Sequence, residues 1–157
     1  MRENLKLAQR PIPLTGFGYT KGVVMYKSDY LMNRAANSHN SFQGKYKRVL
    51  CVCSAGLLRS PTAAFVLSQE PYNYNTRCAG LTPEFALIPV DEVLLEWADE
   101  IVCMDKRQEA VLMEETNKPI VCLNIPDNFG YRDSVLMDMI RERYPQLITP
   151  IRSRIEI

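Results

Sequence analysis

The sequence predicts a doubly wound α/β fold, with a four-stranded parallel sheet, helices on both faces and a basic N-terminal extension. Three observations predict it. From residue 45 onward, short β-forming apolar runs alternate with segments of helical periodicity. The first run, at residues 47–53, is apolar without alternation, as expected for a strand buried on both faces of a parallel sheet. The chain has 157 residues, of which 46% are hydrophobic, and this is enough for one ordinary core.

The individual elements follow from local patterns. In the extension we predict a short strand at 23–26 and a short helix at 29–36. Strands of the main sheet are predicted at 47–53, 76–79, 100–104 and 119–123. Helices are predicted at 60–67, at 90–97, at 105–115 and from Ser134 onward. Pro61 is expected at the first position of its helix, where its missing N–H costs nothing, and Asp105 is expected to be an N-cap.

Two of these helices have a clear apolar stripe. Residues spaced i, i+3, i+4 and i+7 form one face of the helix at 90–97, namely Val90, Val93, Leu94 and Trp97. The stripe predicted for the last helix consists of Val135, Leu136, Met139 and Ile140. Each stripe is expected to pack against the sheet.

Charge is distributed unevenly along the chain. Residues 1–48 contain nine Lys or Arg and two Asp or Glu, whereas residues 49–157 contain ten Lys or Arg and sixteen Asp or Glu. We expect residues 1–46 to form a basic extension that lies against the acidic domain at 47–157, with an acidic partner as the alternative. We do not expect a nucleic-acid partner.

Nothing in the sequence predicts a membrane or secreted protein. The longest apolar run, at 49–58, contains Ser54 and Gly56 and is far shorter than the roughly 20 residues of a membrane span. The N-terminus has neither an apolar leader nor a small-residue cleavage site. A cytoplasmic protein is therefore expected.

The cysteines predict neither a disulfide framework nor a metal site. Their number is odd, no C-x-x-C pair is present, and the chain has one histidine. We expect no metal and no cofactor. Four of the cysteines are predicted to be core residues on strands: Cys51, Cys78, Cys103 and Cys122.

One segment carries residues suited to nucleophilic chemistry. Cys53 ends the first buried strand, and five residues separate it from Arg59 at the start of a helix. Backbone N–H groups of such a loop, together with the helix N-terminus, can bind a phosphate-sized anion and favour the thiolate. Gly56 can adopt positive φ in the middle of the loop. The guanidinium of Arg59 can hold two phosphoryl oxygens, and the Ser60 hydroxyl can hydrogen-bond the thiolate.

The motif C-x-x-x-x-x-R-S, after V-L-C-V and before P-T-A, resembles the phosphate-binding loop of low-molecular-weight protein tyrosine phosphatases. Three further stretches in the same order add to the resemblance: Cys78-Ala79-Gly80, A-D-E-I-V-C-M-D at 98–105, and Ile125-Pro126-Asp127-Asn128-Phe129. The likeness extends over residues 47–145 and is greatest to a small bacterial-type branch of predicted tyrosine phosphatases. The family has Gly-Asn where this chain has Ala55-Gly56, and Asp-Pro where it has Asp127-Asn128.

The resemblance implies the doubly wound α/β fold of that family. It also implies a phosphatase that hydrolyses phosphate monoesters, with phosphotyrosine as the main expected substrate, through a cysteinyl-phosphate intermediate. By motif, Cys53 is the nucleophile, Arg59 clamps the transferred group and Asp127 is the general acid. The phosphate-binding loop would consist of Ser54, Ala55, Gly56, Leu57, Leu58, Arg59 and Ser60. A phosphotyrosine protein or a small aryl phosphate would be the substrate.

Several assignments keep an alternative. Asp127 is also suited to a simple turn, and Asp133 is the second candidate for the acid, although it also fits the N-cap of the last helix. Phe129 and Tyr131 are predicted either to form an aromatic substrate wall or to pack a loop. The alternative functions are a non-catalytic phosphate-binding module and a thiol-dependent arsenate reductase. Leu58 stands where some relatives have a second loop cysteine, so an in-loop disulfide is not expected.

Overall fold

The computed structural model describes residues 43–148, residues 34–36 and 38, and the backbone of two short strands. These strands, β1 (Ile12–Pro13) and β2 (Val24–Met25), pair antiparallel. Strand β2 lies within the strand predicted at 23–26. Of the helix predicted at 29–36, only 34–36 is described, and it is helical. Most of the predicted extension, 1–46, lies outside the described residues.

The main sheet confirms the predicted fold class. Its strands β3 (Arg48–Cys53), β4 (Asn75–Gly80), β5 (Glu100–Cys103) and β6 (Ile120–Cys122) pair in the order β4-β3-β5-β6, all parallel. The helices are α1 (Arg59–Ser68), α2 (Glu92–Trp97), α3 (Lys106–Glu115) and α4 (Ser134–Ile148).

Helices cover both faces of the sheet because the central strands are apolar on both faces. One face of β3 packs Val49 and Cys51 into a core shared with α1 and α4. The opposite face packs Leu50 and Val52 into a second core with α2 and α3. Successive residues of a strand point to opposite faces, so an uninterrupted apolar run supplies both cores.

The last helix corrects one predicted stripe. Leu136, Ile140 and Tyr144 are fully buried, at i, i+4 and i+8, whereas Val135 is exposed. The helix begins at Ser134, and the rotation set by its packing against the sheet turns Val135 toward solvent. Of the stripe predicted for the helix at 90–97, Val93, Leu94 and Trp97 are confirmed as buried residues of α2, whereas Val90 is buried before the helix begins, with its N–H donating to the carbonyl of Gly80.

Aspartates set the starts of the later helices, and α1 starts differently. Asp91 accepts the N–H of Leu94, and Asp105 accepts the N–H of Gln108, which confirms the predicted Asp105 cap. Helix α1 begins at Arg59, two residues before Pro61, so Pro61 is its third position and not its first. Proline is still tolerated there because the first four N–H groups of a helix have no intrahelical acceptor.

The described part of the extension contacts the domain. Arg34 forms an ion pair with Asp91, and the indole N–H of Trp97 donates to Gln43 Oε1 over 2.9 Å. In the part of the chain described here, no helix combines the length and apolar character needed to cross a bilayer.

Strand order positions the functional loops. The chain leaves β3 toward β4 on one side, and it leaves β5 toward β6 on the other. The loops that follow β3 and β5 therefore separate at the carboxyl edge of the sheet, which is where open α/β sheets bind ligands.

Candidate active site

The thiol of Cys53 lies at this edge, at the end of β3. Residues 54–58 form the loop between β3 and α1, and Gly56 in its middle has φ of 74°. This conformation turns the Gly56 N–H back to donate to Cys53 Sγ over 3.1 Å. The thiol in turn donates to Ser60 Oγ over 3.2 Å. The sulfur is thus held by one backbone amide and one hydroxyl of the loop and helix that follow it.

The loop packs directly on the backbone of β4. A Cβ added at Gly56 would lie 2.8 Å from the carbonyl carbon of Ala79 and 2.8 Å from the nitrogen of Gly80. A Cβ at Gly80 would lie 2.6 Å from the carbonyl carbon of Ala55. The N–H of Thr82 also donates to the carbonyl of Ser54 over 2.8 Å. Two glycines thus allow two stretches of backbone to touch, and this fixes the loop.

The N-terminus of α1 faces the loop with its first amides unused by side chains. Its N-cap is Leu58, which provides no side-chain hydrogen bond, and the first turn contains no acidic residue. The helix is ten residues long, so its dipole and its free N–H groups give the loop a positive electrostatic field. This arrangement is suited to an anion.

Arg59 is a buried cation with an incomplete set of hydrogen bonds. Its side chain is 3% exposed, and Nη1 donates to the carbonyl of Ile125 over 2.9 Å. Nε has no hydrogen-bond acceptor among the described residues, although Asp127 Oδ1 lies 3.4 Å away. The Asp105 carboxylate lies 3.9 Å from Nη1. A buried charged donor without an acceptor is costly, and an oxyanion bound in the loop would provide one.

The two candidate acids differ in their surroundings. Asp127 is 64% exposed and lies beside Arg59, so the structure brings it to the loop. Asp133 Oδ1 accepts the N–H groups of Val135 at 2.8 Å and Leu136 at 3.3 Å. Asp133 therefore caps α4.

The structure separates the two aromatic residues of the predicted wall. Phe129 is half-buried and packs against the core formed with α1 and α4. Tyr131 is 52% exposed, and the Arg132 guanidinium lies 5.1 Å from its ring centroid. The same guanidinium lies 3.8 Å from the ring of Phe65 on α1, so it ties the loop at 129–133 to that helix.

The remaining cysteines lie on strands, as predicted, in two pairs that their spacing in the sequence did not reveal. Register places Cys51 opposite Cys78 and Cys103 opposite Cys122, and all five cysteines are free thiols. Cys78 is half-buried, and the other three are buried. Burial raises the pKa values of Cys51, Cys78 and Cys103. Their protonated form is therefore favoured near neutral pH.

Gln108 is a residue of the site that sequence reasoning missed. It is buried, its Oε1 accepts the N–H of Met104 over 2.8 Å, and its Nε2 lies 3.4 Å from Ser54 Oγ. It lies on the first turn of α3, four residues before the buried Leu112 and therefore on the same helix face, and this spacing was the available signal. Within 34–36, 38 and 43–148, no group of three or more His, Cys, Asp or Glu side chains could hold a metal ion.

No family model and no curated protein matches this chain. Among solved structures, it is similar to a thioredoxin-dependent arsenate reductase from Corynebacterium glutamicum, with a TM-score of 0.46 and 15% sequence identity. The similarity covers 77% of this chain and 71% of the other.

Proposed function

We propose that the protein is a cysteine-dependent phosphatase that hydrolyses phosphate monoesters and that phosphotyrosine is its main substrate. The observation that carries the proposal is the buried Arg59, whose Nε makes no hydrogen bond among the described residues, at the same loop as the hydrogen-bonded thiol of Cys53. A tetrahedral oxyanion satisfies both groups, since its oxygens accept from guanidinium and amides while its central atom faces the sulfur.

In the first step, the Cys53 thiolate attacks phosphorus and the bond from phosphorus to the leaving oxygen breaks. Arg59 and the amides of residues 54–60 hold the three equatorial oxygens, whose charge spreads in the transition state. Asp127 gives its proton to the departing phenolate. The product of this step is a cysteinyl-phosphate.

In the second step, water attacks the phosphorus and Asp127 takes its proton. The sulfur–phosphorus bond breaks, and the released thiolate accepts hydrogen bonds from the Gly56 N–H and, once the hydroxyl rotates, from Ser60. Inorganic phosphate leaves from the loop. Tyr131 is exposed and precedes Arg132, whose N–H donates to Thr62 Oγ1 on α1, and we assign it to stacking on an aromatic leaving group, whereas Phe129 acts through packing.

The deciding experiment is hydrolysis of a chromogenic aryl phosphate with a chelator present, with the Cys53→Ser variant alongside. We expect turnover that vanadate inhibits and that is lost in Cys53→Ser, because the serine hydroxyl stays protonated near neutral pH. Cys51→Ala is the matched control, since Cys51 lies on the same strand and faces the same core. Normal turnover by Cys53→Ser would exclude the covalent mechanism, and vanadate binding without turnover would favour a binding module.

A leaving-group series tests the acid. Asp127→Asn is expected to slow esters of poor leaving groups far more than esters of good ones, because only the former need protonation. Asp133→Asn is the control, since asparagine keeps the N-cap while it removes the carboxylate. Equal losses across the series in Asp127→Asn would remove Asp127 from this role, and a selective loss in Asp133→Asn would transfer it.

Thiol-dependent arsenate reduction is the second candidate, and the Cys51–Cys78 register favours it. Cys78 lies on the strand beside Cys53, two residues before Gly80, the register partner of Cys53. In that reaction, arsenate forms an ester with Cys53 and loses water. A second thiol then attacks the sulfur, the disulfide forms, and the electron pair of the sulfur–arsenic bond stays on arsenic as arsenite. Arsenite formation from arsenate and dithiothreitol that is lost in Cys78→Ser would favour this function over phosphatase activity.

A further inference from the structure

A cavity of about 330 Å³ adjoins the loop at Ser54, the residue after the nucleophile. It lies between the chain that follows β4 and the first two turns of α3. Its walls consist of Ser54, Leu81, Thr82, Asp105, Arg107, Gln108 and Val111. The lining is thus mixed, with apolar surface from a leucine and a valine and polar groups around it.

Most polar side chains of this cavity are already engaged. Asp105 accepts the N–H of Gln108 over 3.0 Å with one oxygen, and its other oxygen lies 3.9 Å from Arg59. Gln108 bridges Met104 and Ser54. These groups shape the inner wall, and the charge of Asp105 is partly balanced by that of Arg59.

Arg107 differs from them. It is exposed, and within the described part of the chain its guanidinium has no ion-pair or hydrogen-bond partner. Its neighbour Lys106, also exposed, pairs with Glu109 over 3.3 Å and does not line the cavity. The uncommitted cation of this wall is therefore Arg107, whose five donors fit a carboxylate or phosphate.

We propose that this cavity receives the leaving-group side of the substrate and that Arg107 binds a second anionic group there, such as an acidic residue near the phosphotyrosine. The inference rests on the proposed phosphatase function and specifies its substrate class. Leu81 and Val111 contact the apolar part of the same segment. Ser54 joins the two sites, since it belongs to the loop and also lines the cavity.

Pairs of phosphotyrosine peptides that carry Glu or Gln at one flanking position, scanned over three positions on each side, test the proposal. At one position at least, we expect kcat/KM to be about tenfold higher for the Glu peptide, a difference of about 1.4 kcal/mol. The preference should fall toward unity in Arg107→Met and at raised ionic strength. It should persist in Lys106→Met, the matched control. Methionine is a good helix former, so neither variant should disturb α3.

Phenyl phosphate has no second anionic group, so it distinguishes a failure of the role proposed for Arg107 from a failure of the proposed phosphatase activity. Equal hydrolysis of phenyl phosphate by the unmodified protein, Arg107→Met and Lys106→Met is expected. If phenyl phosphate is hydrolysed but the Glu preference is absent, or is unchanged in Arg107→Met, the role of Arg107 is wrong and the phosphatase stands. If neither phenyl phosphate nor any peptide is hydrolysed, the phosphatase function is wrong and the substrate class falls with it.

Discussion

Replacing Gly56 by alanine tests how the loop is held. Alanine at φ of 74° costs about 1 to 2 kcal/mol, because its Cβ crowds the following carbonyl oxygen. The same Cβ would also lie 2.8 Å from two backbone atoms of β4, which cannot rotate away as a side chain would. Overpacking of this kind costs about 1 to 3 kcal/mol more. We expect Gly56→Ala to lower the free energy of unfolding by roughly 2 to 5 kcal/mol.

The chain contains a matched control for this experiment. Gly44 has nearly the same φ, 76°, but among the described residues a Cβ there would meet only the ring of Tyr46, at 3.6 Å. Gly44→Ala should therefore carry the cost of the dihedral alone, about 1 to 2 kcal/mol. Urea unfolding of both variants measures the difference.

The kinetic part of the prediction follows from the same contact. To escape the overlap, the loop must move from β4, and the Gly56 N–H then leaves Cys53 Sγ. We expect kcat/KM for aryl phosphates to fall at least about tenfold in Gly56→Ala, comparable to loss of one charge-assisted hydrogen bond, and to stay unchanged in Gly44→Ala. Equal unfolding free energies for the two variants, together with unchanged kinetics, would refute the reasoning.

Three further predictions concern single side chains. Burial alone would raise the pKa of Asp99, but the hydrogen bonds and the charge of Arg48 outweigh burial and lower this pKa below its usual value. Asp99→Asn should therefore lower the free energy of unfolding by under about 1 kcal/mol at neutral pH. This loss should vanish as the pH of the unfolding titrations falls below about 4, and a loss that persists at pH 2 would contradict it. Asp133→Ala should lower stability by about 1 kcal/mol through loss of the N-cap, while Asp133→Asn should not, as thermal unfolding can measure. Burial raises the pKa of Cys78, so mass spectrometry should find iodoacetamide on Cys53 before it is found on Cys78. Vanadate should slow the labelling of Cys53. If Cys78 is labelled first, the assignment of Cys53 as the nucleophile is opposed.

Local patterns predicted the secondary structure well because the elements are specified by neighbouring residues. The stripe formed by Val93, Leu94 and Trp97 and the cap at Asp105 each depend on a few neighbouring side chains. Val135 was assigned wrongly because periodicity defines a stripe only to within the rotation of the helix, and packing against the sheet sets that rotation.

Only part of the candidate site is formed by residues that lie close together in the sequence. The spacing of Cys53, Gly56 and Arg59 was visible in the sequence, and so was their suitability for binding an anion. Asp127 was assigned to the site by the family resemblance, but local residues could not show that it lies beside Arg59, because 68 residues and three strands separate the two along the chain. The same applies to Gly80, whose backbone contact with the loop depends on the register of β3 and β4.

The sequence by itself therefore determined the strand and helix types, the two-faced burial of β3 and the loop between thiol and arginine, since each depends on short-range chemistry. Only the tertiary structure decided strand order, the close approach of Gly56 to Gly80, the burial of Arg59 and which aspartate lies beside its Nε. The physical reason is that these features arise from pairing and packing between distant segments. Register and helix rotation are settled by the cores on both faces of the sheet.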